Sequence, residues 1–232
     1  MKSKAFNSLV KSWVSQGDKE TLNTIKYSSF NKGSSFLKKV PSLGDNSPDW
    51  SNIIGDPPSN AGSTTLQELK TVQNYSNKST DKKFKEEILR ADRDMDSLFL
   101  DVIGSDSFSK YEEQIIKTFY GYLEPVIINL KWKFDRPRPY QLGELLGIPI
   151  QHITTKTHHT PAYPSGHAAY GAMMARILSY TRPEKTQEFH SVQNQIGIAR
   201  VMQGVHYPSD NFASIFLVET LWKFFNNNVL ND

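Results

Sequence analysis

With 232 residues, 38% hydrophobic and 22% charged, the chain is long enough for one core and too apolar for a disordered polymer. It has no cysteine, which excludes disulfides, thiolate metal sites, iron-sulfur clusters and cysteine nucleophiles. Its formal charge of +3 is unevenly spread: residues 1–39 hold eight lysines against Asp18 and Glu20, so the remainder is net acidic.

Within that basic stretch Phe6, Leu9, Val10 and Trp13 recur at helical spacing. The segment could contact an anionic membrane surface peripherally, hold a nucleic acid, pack on the domain or trail as a solvated arm. It lacks the apolar core of a secretory signal, and no arginine precedes Arg90, so a transit peptide is not expected either. Residues 28–62 are rich in Ser, Gly, Asn and Pro and read as a long irregular connection. The expected organisation is a basic, loop-rich extension over 1–62 and one helical domain over 63–232.

The helical reading rests on periodicity. Ser63 and Thr64 can cap a helix through Leu66, Leu69 and Val72, and a second is expected over Phe84, Ile88, Leu89, Met95, Leu98 and Leu100. Tyr111, Ile115, Phe119, Tyr122, Val126 and Leu130 predict a third over about 107–133, with a kink at Pro125. Pro137 and Pro139 should end it, leaving a loop to about Pro164 in which Leu145 to Ile150 could form a short extended piece. A fourth helix should run from Ser165 to about Tyr180, and a fifth over Phe189, Val192, Ile196, Ala199 and Met202 to Gly204. The sixth starts near Ser209 and carries Phe212, Ile215, Phe216, Val218, Leu221 and Phe224. Helices in series with few strand signals predict an all-α, single-domain bundle of about six core helices. The longest apolar stretch, Phe212 to Phe225, is broken by Glu219 and Lys223, so no membrane span is expected and a soluble intracellular location follows by default.

Three groups of residues could carry chemistry. In the first, Lys131 near the end of the third helix and Arg138, held extended between two prolines, can aim a point charge and a planar fork at one anion. Lys133 and Arg136 sit nearby without matching a pattern, and the whole group also fits a solvated basic segment. In the second, Ser165 can cap the helix, Gly166 lets a ligand approach the backbone, and His167 sits where orphan amides and the helix dipole favour an anion. An ordinary cap with a surface histidine is the plainer alternative. In the third, Asp210 follows His206 by four residues across Pro208, near enough to hold one ring nitrogen and leave the other free, with Arg200 in reach. Asp210 could equally be an N-terminal helix charge and His206 a turn residue.

Taken together the groups resemble the type 2 phosphatidic acid phosphatase and vanadium haloperoxidase superfamily. Lys131, Arg138 and Pro139 match its Lys-x6-Arg-Pro motif, and Pro164, Ser165, Gly166 and His167 its Pro-Ser-Gly-His motif. Arg200, His206 and Asp210 match its third motif, with Ala199 where the family usually has serine. The motifs span about 107–214, and Pro57 to Thr65 is similar to the approach to the helical core in some soluble members.

The resemblance implies that Lys131, Arg138, Ser165, Gly166 and Arg200 bind phosphate. It further implies that His206 attacks phosphorus to form a phosphohistidine, that Asp210 orients it, and that His167 protonates the leaving oxygen and then activates water. The expected function is a metal-independent, acid-phosphatase-like hydrolase of small phosphate monoesters, needing no cofactor. The alternatives are a haloperoxidase holding vanadate in the same pocket and a non-catalytic phosphate-binding relative. Chain length and Thr160, seven residues before His167, favour the phosphatase. His158 and His159 could line the pocket mouth, adjacent side chains being poor joint metal ligands, and His152 and His190 are expected near the surface. Trp13, Trp50, Trp132 and Trp222 are expected to pack, and without clustered arginines nucleic acid is not an expected partner.

Overall fold

A computed structural model of the chain describes residues 19–31, 37–40 and 48–226. Among them the regular structure is entirely helical. Two short helices, α1 (Lys19–Asn23) and α2 (Trp50–Ile54), precede α3 (Ser63–Ser76), α4 (Lys82–Arg93) and α5 (Met95–Ile103). Then come α6 (Lys110–Phe134), α7 (Pro139–Leu145), α8 (Gly166–Thr181), α9 (Thr186–Met202) and α10 (Pro208–Phe225). The all-α expectation holds, and no helix among the described residues is long and apolar enough to cross a membrane.

The bundle is built around α8, which packs against α6, α9 and α10. Before Ile177 and Leu178, its inward residues are small or unbranched (Ala168, Ala172, Met173, Met174, Ala175), which lets neighbouring axes approach closely. Gly171 marks the tightest point, where an added Cβ would lie 3.1 Å from Ile196 Cδ1 on α9. At the far end Phe119 meets Phe225 with centroids 4.9 Å apart and Trp222 at 5.7 Å. Phe119 is fully buried, so Phe119→Ala should cost about 3–5 kcal/mol, read from urea unfolding midpoints. A loss below about 1 kcal/mol would mean that this cluster is not part of the core.

Helix α6 starts on a reciprocal cap: Glu112 N donates to Ser109 Oγ at 3.2 Å and Ser109 N to Glu112 Oε2 at 2.8 Å. The same carboxylate receives Arg182 Nε at 2.7 Å and Thr181 Oγ1 at 2.9 Å, joining the start of α6 to the end of α8. The helix continues through buried Pro125 and stops at Asp135, whose left-handed φ of 50° turns the chain.

Four expectations need correction. The expected second helix is two, because Asp94 (φ −144°, ψ 64°) leaves helical geometry and its side chain accepts from Ser97 N at the start of α5. Gly62, not Ser63 or Thr64, is the N-cap of α3. Pro139 does not open a loop but takes the first position of α7, where its missing N–H costs nothing, and Leu145 closes that helix instead of starting an extended piece. On α10, Phe212 and Phe216 face outward, 71% and 55% exposed, while Asn211, Ser214, Leu217, Val218, Leu221, Trp222 and Phe225 face inward.

The described part of residues 1–62 packs on this body. Leu22, Ile25 and Tyr27 are buried, Tyr27 N donates to Asp135 O at 2.8 Å, and Asn60 Nδ2 donates to Leu22 O and Ile25 O. Trp50 enters the main core edge-on to Phe224. Phe6, Leu9, Val10 and Trp13 lie outside the described residues.

Candidate active site

The first group is fixed by the ends of two helices. Lys131 occupies the last turn of α6, and Arg138 is the N-cap of α7, kept in extended backbone by the proline that follows it. Both are buried, and both are anchored to one strip of backbone: Lys131 Nζ donates to Pro161 O at 2.7 Å, Arg138 Nε and Nη2 to Thr160 O at 2.9 and 2.8 Å. The remaining nitrogen, Nη1, reaches Val205 O and His206 Nε2, each at 2.8 Å.

The second group sits at the start of α8, beyond a cis Tyr163–Pro164 bond. Ser165 is the N-cap and accepts from Ala168 N at 3.4 Å. Its own N donates to Asp210 O at 3.1 Å, and Ser214 Oγ donates to Ser165 O and Asp210 O, so the starts of α8 and α10 are tied together. His167 Nε2 lies 3.1 Å from Asp92 O and 3.5 Å from Asp92 Oδ1. Burial and then the nearby Arg200 guanidinium lower the His167 imidazole to about 3, against an upward pull from Asp92.

The third group spans the turn from α9 to α10. Gly204 takes a left-handed φ of 77°, and its α-carbon is pressed so closely to the loop that an added Cβ would lie 2.5 Å from Gln151 O. His206 Nδ1 is 3.0 Å from Asp210 Oδ2, which also accepts Tyr207 N at 2.9 Å. A carboxylate only accepts, so Nδ1 carries the proton and Nε2 offers its lone pair toward Arg138. Burial, followed by Arg138, Lys131, Arg200 and His167, holds the His206 ring well below its ordinary value. His167 and His206 thus share Lys131 and Arg200 as charged neighbours.

Four side chains join this cluster that motif reading did not select. Asp92 on α4 is buried and pairs with Arg200 Nη1, while Thr157 Oγ1 donates to Asp92 at 2.5 Å and accepts Arg200 Nη2 at 3.2 Å. Arg200 Nε is buried without a protein partner among the described residues. Burial raises the Asp92 carboxyl, but Arg200, Thr157 and His167 outweigh it and leave it lowered. Arg136 reaches Asp210 Oδ1 at 2.6 Å and Glu68 Oε2 at 3.2 Å. A signal for Asp92 existed: it follows buried Ile88 and Ala91 on the inward stripe of α4, where a carboxylate needs a partner.

Around the loop, Tyr140 stacks on His152 at 4.1 Å and His158 on His159 at 5.3 Å. His158 is buried, and burial followed by Arg138 lowers it to about 4. His152 is exposed, whereas His190 is half-buried with Nδ1 3.2 Å from Gln193 Oε1.

These shifts have a direction for stability. Lowered imidazoles bind protons less readily in the folded state, so His167 and His206 should weaken the fold as pH falls below about 6.5. For His167 that loss accumulates down to about 3. Asp92 and Glu112, the latter held at about 2 chiefly by Arg182, add a further loss below the ordinary carboxylate range. Thermal midpoints in an anion-poor buffer should therefore decline from pH 6.5 downward. A midpoint unchanged at pH 4.5 would contradict the burial of these rings.

Residues 114–230 match the family model described as the PAP2 superfamily. Over 49 residues the chain is 47% identical to a non-specific acid phosphatase of Salmonella typhimurium (strain LT2), covering 21% of this chain and 20% of that protein. It is 45% identical over 49 residues to the non-specific acid phosphatase of Salmonella typhi, with the same shares. The alignments thus span about a fifth of the length of these curated relatives. The family match, in contrast, runs over half of the chain and takes in Lys131, Arg138, Ser165, Gly166, His167, Arg200, His206 and Asp210, and on that ground the chain belongs to the PAP2 superfamily.

Proposed function

We propose that the protein is a phosphatase that hydrolyses small phosphate monoesters through a phosphohistidine at His206, without a metal ion. The observation that carries this reading is the His206 ring itself: Asp210 holds its Nδ1, and Nε2 turns its lone pair toward the buried Arg138 guanidinium, with Arg200 and the Lys131 amine close by. Arg138 and Arg200 bring the positive charge that a phosphoryl group needs as it gathers electrons, which in other phosphotransfer sites a metal supplies. A phosphate dianion would favour the charged form of the Lys131 amine, which burial and then Arg138 hold well below its ordinary value. Arg200 Nε, buried without a partner among the described residues, is a donor of the kind a phosphate oxygen would satisfy.

In the first step Arg138 Nη1 exchanges Nε2 for a phosphate oxygen, and the freed lone pair attacks phosphorus. The Nε2–P bond forms, the P–O bond to the alcohol breaks, and His167 donates the proton that the leaving oxygen requires. Burial first, and then Arg200 and Lys131, lower the His167 ring, and the negative charge of a bound phosphate would act against those cations and favour the protonated acid. In the second step His167 takes a proton from water, the hydroxide attacks phosphorus, and the Nε2–P bond breaks to release phosphate.

The test is release of p-nitrophenol from p-nitrophenyl phosphate in excess chelator between pH 4.5 and 7.5, with competitive inhibition by vanadate as a phosphate-shaped anion. Activity that appears only on adding a divalent metal would overturn the metal-free reading. Phosphate binding without turnover would make the protein a binder, and bromide oxidation by peroxide after vanadate loading would make it a haloperoxidase.

A further inference from the structure

Arg136 holds no motif position, yet it is buried and engaged at both ends of its guanidinium fork. Nη1 donates to Asp210 Oδ1 at 2.6 Å and Ser209 Oγ at 2.8 Å, and Nη2 to Glu68 Oε2 at 3.2 Å. The guanidinium lies over the Tyr207 ring, 3.8 Å from its centroid. Glu68, reaching in from α3, also accepts Ser209 N at 2.6 Å and Ser209 Oγ at 2.8 Å, so it grips both Arg136 and the first turn of α10. The two oxygens of Asp210 are thereby divided: Oδ2 serves His206 Nδ1 and Tyr207 N, and Oδ1 serves Arg136.

We infer that Arg136, anchored by Glu68, is a positioning residue that shares the charge of Asp210 and keeps the His206–Asp210 pair from taking up a further proton at mildly acid pH. The kinetic part of this inference rests on the proposed phosphatase function.

A carboxylate facing only an imidazole would draw a proton onto the pair and consume the lone pair that must attack. With a guanidinium on its other oxygen, the carboxylate still orients Nδ1 while exerting less net pull. The charged and titratable groups around the pair are Lys131 from α6, Arg138 at the start of α7, His167 from α8 and Arg200 from α9. Tyr163 and Tyr207 flank Asp210 as well. Of the cations among the described residues, Arg136 is the one hydrogen-bonded to Asp210. The others belong to the anion cradle and would be engaged by substrate during turnover. A lysine at 136 would keep the charge but lose the fork that joins Asp210 to Glu68.

The experiment compares Arg136→Met, Arg136→Lys and Glu68→Gln with the unaltered protein, using p-nitrophenyl phosphate. For R136M the expected result is a fall in kcat of about tenfold or more with KM within about threefold. Its acid limb of kcat/KM should move up by about one pH unit. R136K should restore the acid limb without restoring full kcat, and E68Q should lower kcat severalfold with KM held. Unchanged kcat and acid limb in R136M would overturn the inference, as would a rise in KM at constant kcat, which would put Arg136 in the anion cradle.

If R136M does not fold by circular dichroism, Arg136→Gln replaces it with the same expectations. If the unaltered protein releases no phosphate, the proposed function fails, and the inference is then read by NMR titration of the histidine rings, with His206→Asn for assignment. The His206–Asp210 pair should take up its proton about one pH unit higher in R136M or R136Q. An identical titration in the unaltered and neutral variants would overturn the inference without reference to catalysis.

Discussion

His206→Ala is expected to lower kcat for p-nitrophenyl phosphate by about ten-thousandfold or more, because the ring is the proposed attacking group and no neighbour offers a second nucleophile of that geometry. Phosphate affinity should fall by less than about tenfold, since Lys131, Arg138, Arg200 and the start of α8 remain. The contrast is physically sharp here because Asp210 does not depend on His206 for charge compensation: Arg136 holds its other oxygen at 2.6 Å. The variant should therefore fold, and thermal stabilisation by phosphate should persist. Steady-state rates and phosphate-dependent melting on one preparation check both halves. Residual kcat within about a hundredfold of the unaltered protein would remove His206 as nucleophile.

The second large effect is on stability. Asp92→Ala is expected to destabilise the fold by about 3–5 kcal/mol, because it strands the guanidinium of Arg200, 1% exposed, without its counter-charge. The same change frees Arg200 to move, so KM for the phosphomonoester should rise, and His167 loses the carboxylate that pulls its value upward. Urea unfolding measures the first consequence and initial rates the second. Adding Arg200→Met to Asp92→Ala should recover part of the stability and none of the activity, as removing both charges relieves the burial penalty but destroys the cradle. A loss under about 1 kcal/mol for D92A would mean that water compensates Arg200 in solution.

What could be read from the sequence was local chemistry. Pro137 and Pro139 around Arg138, Ser165 before an Ala-rich run, and His206 four residues ahead of Asp210 each state their geometry within a few positions, and the structure brings these groups into one cluster. Asp92 and Glu68 stayed hidden because their partners Arg200 and Arg136 lie 108 and 68 residues away, and a lone carboxylate in a helical stripe does not announce which distant cation it meets. Arg136 was visible only as one more charge in a basic stretch. The α7 helix is not legible from Pro137 and Pro139, because proline suits a first helical position as well as it ends a preceding helix. The inward face of α10 does not follow its apolar residues because it includes polar ones: Asn211 donates to Gly197 O at 2.8 Å and Ser214 to Ser165 O at 2.8 Å, which leaves Phe212 and Phe216 on the outer side.

The bare α-carbon at Gly204 limits how this site could diversify. Because the backbone at Gln151 rests against it, and Ile153 N and Gln203 O are bonded at 3.0 Å, one edge of the segment between α7 and α8 is fastened to the hinge that presents His206. Insertions there would shift the His206 ring along with the wall. Thr155, which accepts Gln203 Nε2 at 3.2 Å, and Thr157, which joins Asp92 to Arg200, carry the same restriction, so new recognition preferences are easier to acquire by substitution at exposed Lys156 and His159 than by a change of loop length.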